Sequence, residues 1–77
     1  MLLYLCSMKK NVVLIALGKR IRELREKQNW SQEELAEYAD LDRTYIGGIE
    51  RGERNVAVLN LSCIAKALKI SLKELFE

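Results

Sequence analysis

The tightest constraint on this chain is the window Gln32 to Arg51, Q-E-E-L-A-E-Y-A-D-L-D-R-T-Y-I-G-G-I-E-R, which reads as two short helices with almost nothing between them. Ser31 caps the first, and Glu34 three residues on completes a capping box; Trp30 and Leu35 hold the N′ and N4 positions of a hydrophobic staple. Asp42 caps the second, and Leu41 with Ile46 repeats the staple spacing. Gly52 ends it, since glycine takes the left-handed C′ conformation without strain. The link is Asp40 and Leu41, so the helices must cross steeply for both apolar faces to meet one core. Ala36 is small at that crossing and allows a close approach.

The rest of the chain extends the pattern. Leu17, Ile21 and Leu24 recur at helical spacing and predict a first helix from about Ala16 to Gln28. After a loop from Glu53 to Ala57, Val58, Leu61, Ile64, Ala65 and Leu68 mark a fourth helix. Ser71 and Glu74 form another capping box, with Ile70 and Leu75 as its staple, and open a short fifth helix. With 49% apolar residues and no proline, the fold class expected is all-α, a five-helix bundle. Residues 16–77 form the domain. Residues 1–15 are an N-terminal extension, for which an extra helical turn, a strand and a partner-binding arm all stay open.

Several function classes are disfavoured. A chain of 77 residues builds one modest core and is too small for an enclosed enzyme cleft. It has no histidine and two distant cysteines, Cys6 and Cys63, which argues against a zinc site, against a disulfide framework and for free thiols. The paired glycines Gly47-Gly48 fall inside a helix, not in a phosphate loop after a strand. No catalytic residue, metal, cofactor or small-molecule substrate is therefore expected, and the chain is not read as an enzyme. The apolar stretch Met1–Cys6 is far shorter than a membrane span and has neither a basic region before it nor a cleavage pattern after it. A cytoplasmic protein is expected.

Net charge is only +2, but the charges are segregated. Residues 1–30 carry Lys9, Lys10, Lys19, Arg20, Arg22, Arg25 and Lys27 against Glu23 and Glu26, whereas residues 31–42 carry five acids and no base. Such polarity offers a basic surface to phosphates. Geometry adds to this. A steep corner makes the third helix project with its first turn outward, able to enter a groove about 12 Å wide. Arg43, Thr44 and Tyr45 lie on that turn: arginine can grip guanine O6 and N7, threonine offers a hydroxyl and a methyl, and tyrosine can bond a phosphate or stack on a sugar. The N-terminus of the second helix attracts a phosphate, and Gln32 stands there to add a hydrogen bond.

These residues resemble the helix-turn-helix family of the Cro and phage-repressor type, the XRE family, over Leu17 to Phe76, a lambda-repressor-like DNA-binding domain. The match rests on S-Q-E-E-L-A, then I-E-R-G, then I-A-K-A-L-K-I-S-L-K-E-L-F. Within the family, R-T-Y-I-G-G-I-E-R-G-E-R-N-V is most similar to the controller proteins of restriction–modification systems. The resemblance implies a transcriptional regulator that binds double-stranded DNA at palindromic operators as a homodimer. It places Gln32 at a phosphate, Arg43 and Thr44 at bases with Tyr45 beside them, and Arg54 and Asn55 near the sugar–phosphate backbone. It makes Arg25 and Glu50 an ion pair between helices one and three. It assigns the dimer interface to helices four and five, where Leu59, Leu72 and Phe76 are candidate contacts. The alternative is an antitoxin or protein-interaction module built on the same helices.

This chain departs from the family pattern in three places. Gly47 and Gly48 sit inside the recognition helix, each costing roughly 1 kcal/mol relative to alanine. Read from sequence, they leave that surface stripped of side chains, so DNA shape and half-site spacing are expected to carry much of the specificity. Asp40 replaces the usual corner glycine, a mild change because aspartate tolerates the left-handed conformation. Asp42 brings negative charge close to expected phosphates.

Overall fold

The computed structural model describes residues 2–76, with side-chain surroundings given from Val12 onward. Among the described residues the chain forms five helices: α1 (Leu2–Lys27), α2 (Gln32–Ala39), α3 (Arg43–Glu50), α4 (Val58–Ala67) and α5 (Leu72–Leu75). The thiol of Cys6 and the charges of Lys9 and Lys10 lie outside the described side chains. Both predicted capping boxes form: Ser31 Oγ accepts from the Glu34 amide at 3.1 Å while Glu34 Oε1 accepts from the Ser31 amide at 2.7 Å. Ser71 and Glu74 repeat the exchange at the start of α5. Asp42 caps α3 through the Thr44 amide at 3.0 Å. Asp40 adopts the left-handed conformation at the corner, φ 59°, and Gly52 does so after α3, φ 75°.

α1 begins at Leu2, not near Ala16. Nothing before Gly18 breaks a helix, since neither proline nor glycine occurs there, so the backbone continues in register past the point where the core-facing spacing stops. The extension and the domain thus share one unbroken helix.

Each helix contributes to one core. Ile21 of α1, Leu35 of α2, Ile46 and Ile49 of α3, Ile64 of α4 and Leu75 of α5 are almost completely buried. α3 packs against α1 and α2, α2 against α4, and α5 closes on α4 and α1. Ala36 is buried at the α2–α3 corner, and its carbonyl accepts the Leu41 amide at 2.9 Å. Val58, assigned by spacing to the apolar face of α4, is exposed at the first position of that helix.

One contact was not legible from spacing. A Cβ on Gly18 would lie 2.7 Å from the Glu50 carbonyl oxygen and closer still to that of Ile49. α1 therefore rests backbone to backbone on the last turn of α3. Gly52 makes a similar approach to the backbone of Ile15.

Candidate nucleic-acid interface

The corner between α2 and α3 is locked from below by a polar network. Arg25 at the end of α1 donates from Nε to Glu50 Oε2 at 2.7 Å and from NH2 to Glu50 Oε1 at 3.0 Å. Its NH1 donates to the Trp30 carbonyl at 2.7 Å. Glu50 Oε1 also accepts from Gln32 Nε2 at 3.0 Å. Three helix ends thus meet on one carboxylate, and Arg25 ties the α1–α2 turn to the same network. Both charged residues are only 9% exposed, and burial of charge is tolerated because each is matched by a hydrogen-bonded partner. The hydrogen bond to Glu50 raises the Arg25 pKa above the usual guanidinium value, outweighing the opposing effect of burial. Its positive charge is permanent.

Above this anchor, the first turn of α3 faces outward. Arg43 and Thr44 are exposed. Tyr45 is half-buried: its ring packs on the core, and its hydroxyl accepts from Asn60 Nδ2 of α4 at 3.0 Å. Arg54 and Asn55 are exposed on the loop that follows α3, with the Arg54 guanidinium carbon 5.9 Å from the centre of the Tyr45 ring. Gln32, half-buried at the first position of α2, spends one amide N–H on Glu50. An amide carries two such donors, so a second is left for an acceptor beyond the protein surface.

The glycine pair is not the bare surface that the sequence implied. Gly47 and Gly48 are buried. A Cβ on Gly47 would meet Arg51 NH1 at 3.2 Å and Gln32 Oε1 at 3.4 Å, and one on Gly48 would meet Arg54 Cγ at 2.7 Å. Side chains from elsewhere lie across the helix where its own are missing.

The comparisons with known proteins agree with this geometry. A helix-turn-helix family model matches residues 21–75. Control protein C.MunI of a Mycoplasma species is 48% identical over 67 residues, covering 86% of this chain and 90% of its own length. C.BamHI of Bacillus amyloliquefaciens is 46% identical over 68 residues, covering 87% and 84%. The chain belongs to the helix-turn-helix family, among the restriction–modification controller proteins. Among solved structures, the controller C.AhdI of Aeromonas hydrophila matches with a TM-score of 0.80 at 51% identity, over 82% of this chain and 96% of that one. The controller C.Esp1396I, seen as a tetramer with its natural 35-base-pair operator, matches with a TM-score of 0.77 at 39% identity, over 83% and 84%.

In this controller family member the predicted ion pair forms, and the predicted surface residues fall into two groups. Arg43, Thr44, Tyr45, Arg54 and Asn55 gather around the start of α3 and the loop after it, while Gln32 sits at the base. The candidate dimer contacts divide. Leu59 is 78% exposed and Phe76 is 61% exposed, whereas Leu72 is half-buried and packs against its own core. Asn60 and Gly18 were missed. Asn60 had a signal, since an amide among the apolar residues of α4 needs a partner. Gly18 had none, because a close approach of two backbones leaves no trace in spacing.

Cys63 is exposed on α4, and among the described residues no group of three or more acidic, histidine or cysteine side chains converges as a metal site. No helix of the described residues is long and apolar enough to cross a membrane.

Proposed function

We propose that this protein is a sequence-specific transcriptional regulator that binds palindromic operator DNA as a homodimer and acts in the cytoplasm as a restriction–modification controller, without catalytic activity. The observation that carries the reading is the outward first turn of α3, with Arg43 and Thr44 exposed above the buried Arg25–Glu50–Gln32 network. A rigid helix with free donors on its leading turn is what base reading in the major groove requires. Arg43 and Thr44 contact base edges, Tyr45 supports them, and Gln32 on one side with Arg54 and Asn55 on the other contact the sugar–phosphate backbone. Relatives support the same reading: C.Esp1396I has been captured with its operator. Binding by a dimer is supported by the exposed apolar Leu59 and Phe76, which a two-fold interface would cover.

The test is a footprint on the DNA upstream of the protein's own start codon, repeated with Arg43→Ala. The wild-type protein should protect two symmetric half-sites, and the variant should lose sequence preference while keeping its fold and dimer. Binding should weaken roughly a thousandfold or more between about 50 and 200 mM salt if six to ten phosphates are contacted across the dimer. A flat salt dependence together with an indifferent Arg43→Ala would instead favour a module that binds protein.

A further inference from the structure

Residues 12–15 of α1, V-V-L-I, are four consecutive apolar residues, about one full turn, so together they point to every side of the helix. A helix that is apolar all round belongs in an interior. Yet Val12, Val13 and Ile15 are each more than half exposed in the single chain, and Leu14 is only half-buried. This turn lies ahead of residues 21–75, the part that the family model matches, so the helix-turn-helix pattern does not account for it.

The exposed turn is continuous with a concave surface. Val12 and Val13 lead through Ala16 and Leu17 into a groove of about 380 Å³ whose far wall is Leu75 and Phe76 of α5. Arg20 also lines it and donates from NH2 to the Glu74 carbonyl at 3.2 Å, which ties α1 to α5. Ala16 is exposed along the groove, and its small side chain lets a second helix come close. The area is also needed. A two-fold interface takes roughly 800 Å² from each partner, about 65% of it apolar. A fully covered aromatic side chain supplies roughly 150–250 Å², so Phe76 and the smaller Leu59 fall short by themselves.

We propose that the start of α1 is part of the dimer interface, each copy laying its Val12–Ile15 turn against the α1–α5 groove of a second copy. The inference rests on the homodimer reading above and adds α1 to the faces of α4 and α5 named there. Turn and groove lie side by side on one surface, so a two-fold axis covers both in both copies at once. Residues 9–22 carry five bases and no acid. Association through α1 therefore works against like charge and should tighten as salt rises, the reverse of binding to an anionic surface.

The experiment is sedimentation equilibrium of the full chain at two salt concentrations. Val13→Glu should raise the dimer dissociation constant at least about tenfold, because each copy loses a covered valine and gains a covered carboxylate. Tyr38→Glu, at a residue exposed to a similar degree on α2, should leave it unchanged. Val12→Glu carries the test if Val13→Glu lowers the thermal midpoint of the monomer. A thiol placed by Val13→Cys, with Cys6 and Cys63 replaced by serine, should be alkylated more slowly as rising concentration forms the dimer. The inference is overturned if both glutamate variants dimerise as the wild type does, or if that thiol reacts equally fast at all concentrations. Vesicles of phosphatidylglycerol and phosphatidylcholine that bind the wild type but not Val13→Glu, with the dimer unchanged, would overturn it in favour of a lipid surface. Leu59→Glu separates the two levels. If it dissociates the dimer while Val12→Glu and Val13→Glu do not, only the part of α1 fails; if the wild type itself sediments as a monomer, the homodimer reading fails as well.

Discussion

Arg25 and Glu50, twenty-five residues apart, meet in a two-pronged ion pair at 2.7 and 3.0 Å that joins the last turn of α1 to the last residue of α3. The pair sets the angle at which α3 leaves the body, because Glu50 also holds Gln32 at the start of α2 and Arg25 holds the Trp30 carbonyl between them. The turn proposed to read DNA and the anchor thus lie at opposite ends of one eight-residue helix.

Arg25→Met should be strongly destabilising. It leaves the Glu50 carboxylate buried with only Gln32 as a partner, a loss on the order of 3 kcal/mol. In a domain of this size that lowers the thermal midpoint by roughly 12–24 °C. Replacing both partners, Arg25→Met with Glu50→Leu, should recover part of the loss, since no lone charge is then buried. Calorimetry on the three variants checks this, and a double variant worse than the single would contradict it.

The sign of the Arg25 shift fixes a pH expectation. A group whose pKa is raised on folding contributes stability that is fully present below its unfolded value and is lost only as pH rises through the folded one. For Arg25 both values lie in the guanidinium range, far above neutral pH, with the folded one the higher. Unfolding followed by urea from roughly pH 6 to 9 should therefore give the same Arg25→Met penalty throughout. A penalty that changes within that range would mean that another group titrates in the network.

The glycines of α1 and α3 should respond in opposite ways. Gly18→Ala drives a methyl into the carbonyls of Ile49 and Glu50, and backbone cannot step aside. Destabilisation of roughly 1–3 kcal/mol is expected despite the gain in helix propensity. At Gly47 the nearest atoms are the ends of the Arg51 and Gln32 side chains, at 3.2 and 3.4 Å. Gly47→Ala should be neutral or stabilising by up to about 1 kcal/mol. Thermal melts of the two variants decide the matter, and the same sign for both would refute the account.

These contrasts mark what was legible in the sequence. Ser31, Asp42 and Ser71 announced the starts of three helices because a cap is a local device: donor and acceptor lie within three residues of each other. The core was legible for the same reason, since Leu17 and Ile21 of α1, and Leu61, Ile64, Ala65 and Leu68 along α4 and its C-cap, recur at helical spacing. The start of α1 was not, because the apolar residues before Ala16 come in unbroken runs such as V-V-L-I and show no helical spacing. Nor was the fate of Gly47 and Gly48. Missing side chains look like an open surface until the chain returns, several residues later, and lays Arg51 and Arg54 across them.

Asp42 should trade DNA affinity against helix capping in a separable way. Its carboxylate accepts the Thr44 amide at 3.0 Å, and it stands next to Arg43 on the face proposed to meet phosphates. Asn caps about as well as Asp, so Asp42→Asn keeps the hydrogen bond and gives up only the charge–dipole part, about 0.3–1 kcal/mol. Removing one repulsion of about 1 kcal/mol should tighten binding about fivefold at low salt and less at high salt. Binding isotherms at two salt concentrations check this. Weaker binding by Asp42→Asn would show that the carboxylate faces a donor on the DNA.

The dimer contacts can be separated by their burial. Leu59 is 78% exposed and Phe76 is 61% exposed in the single chain, so charging either leaves the monomer core intact. Phe76 borders a groove between α1 and α5 that Val12, Val13 and Ala16 also line, so its apolar surroundings extend beyond one side chain. Leu72 packs inward, and Leu72→Ala should instead lower monomer stability. If Leu59 is covered in the dimer, Leu59→Glu removes a buried leucine twice, once from each copy, at about 1.5–3 kcal/mol each. The dimer should then dissociate at least a hundredfold more readily, with a thermal midpoint close to that of the wild-type monomer. Operator affinity should fall in step, because the two half-sites would be bound singly. Sedimentation equilibrium beside the binding assay decides it: a Leu59→Glu protein that stays dimeric would place the two-fold axis elsewhere, and the Phe76→Glu variant would then show whether the α1–α5 groove is the interface.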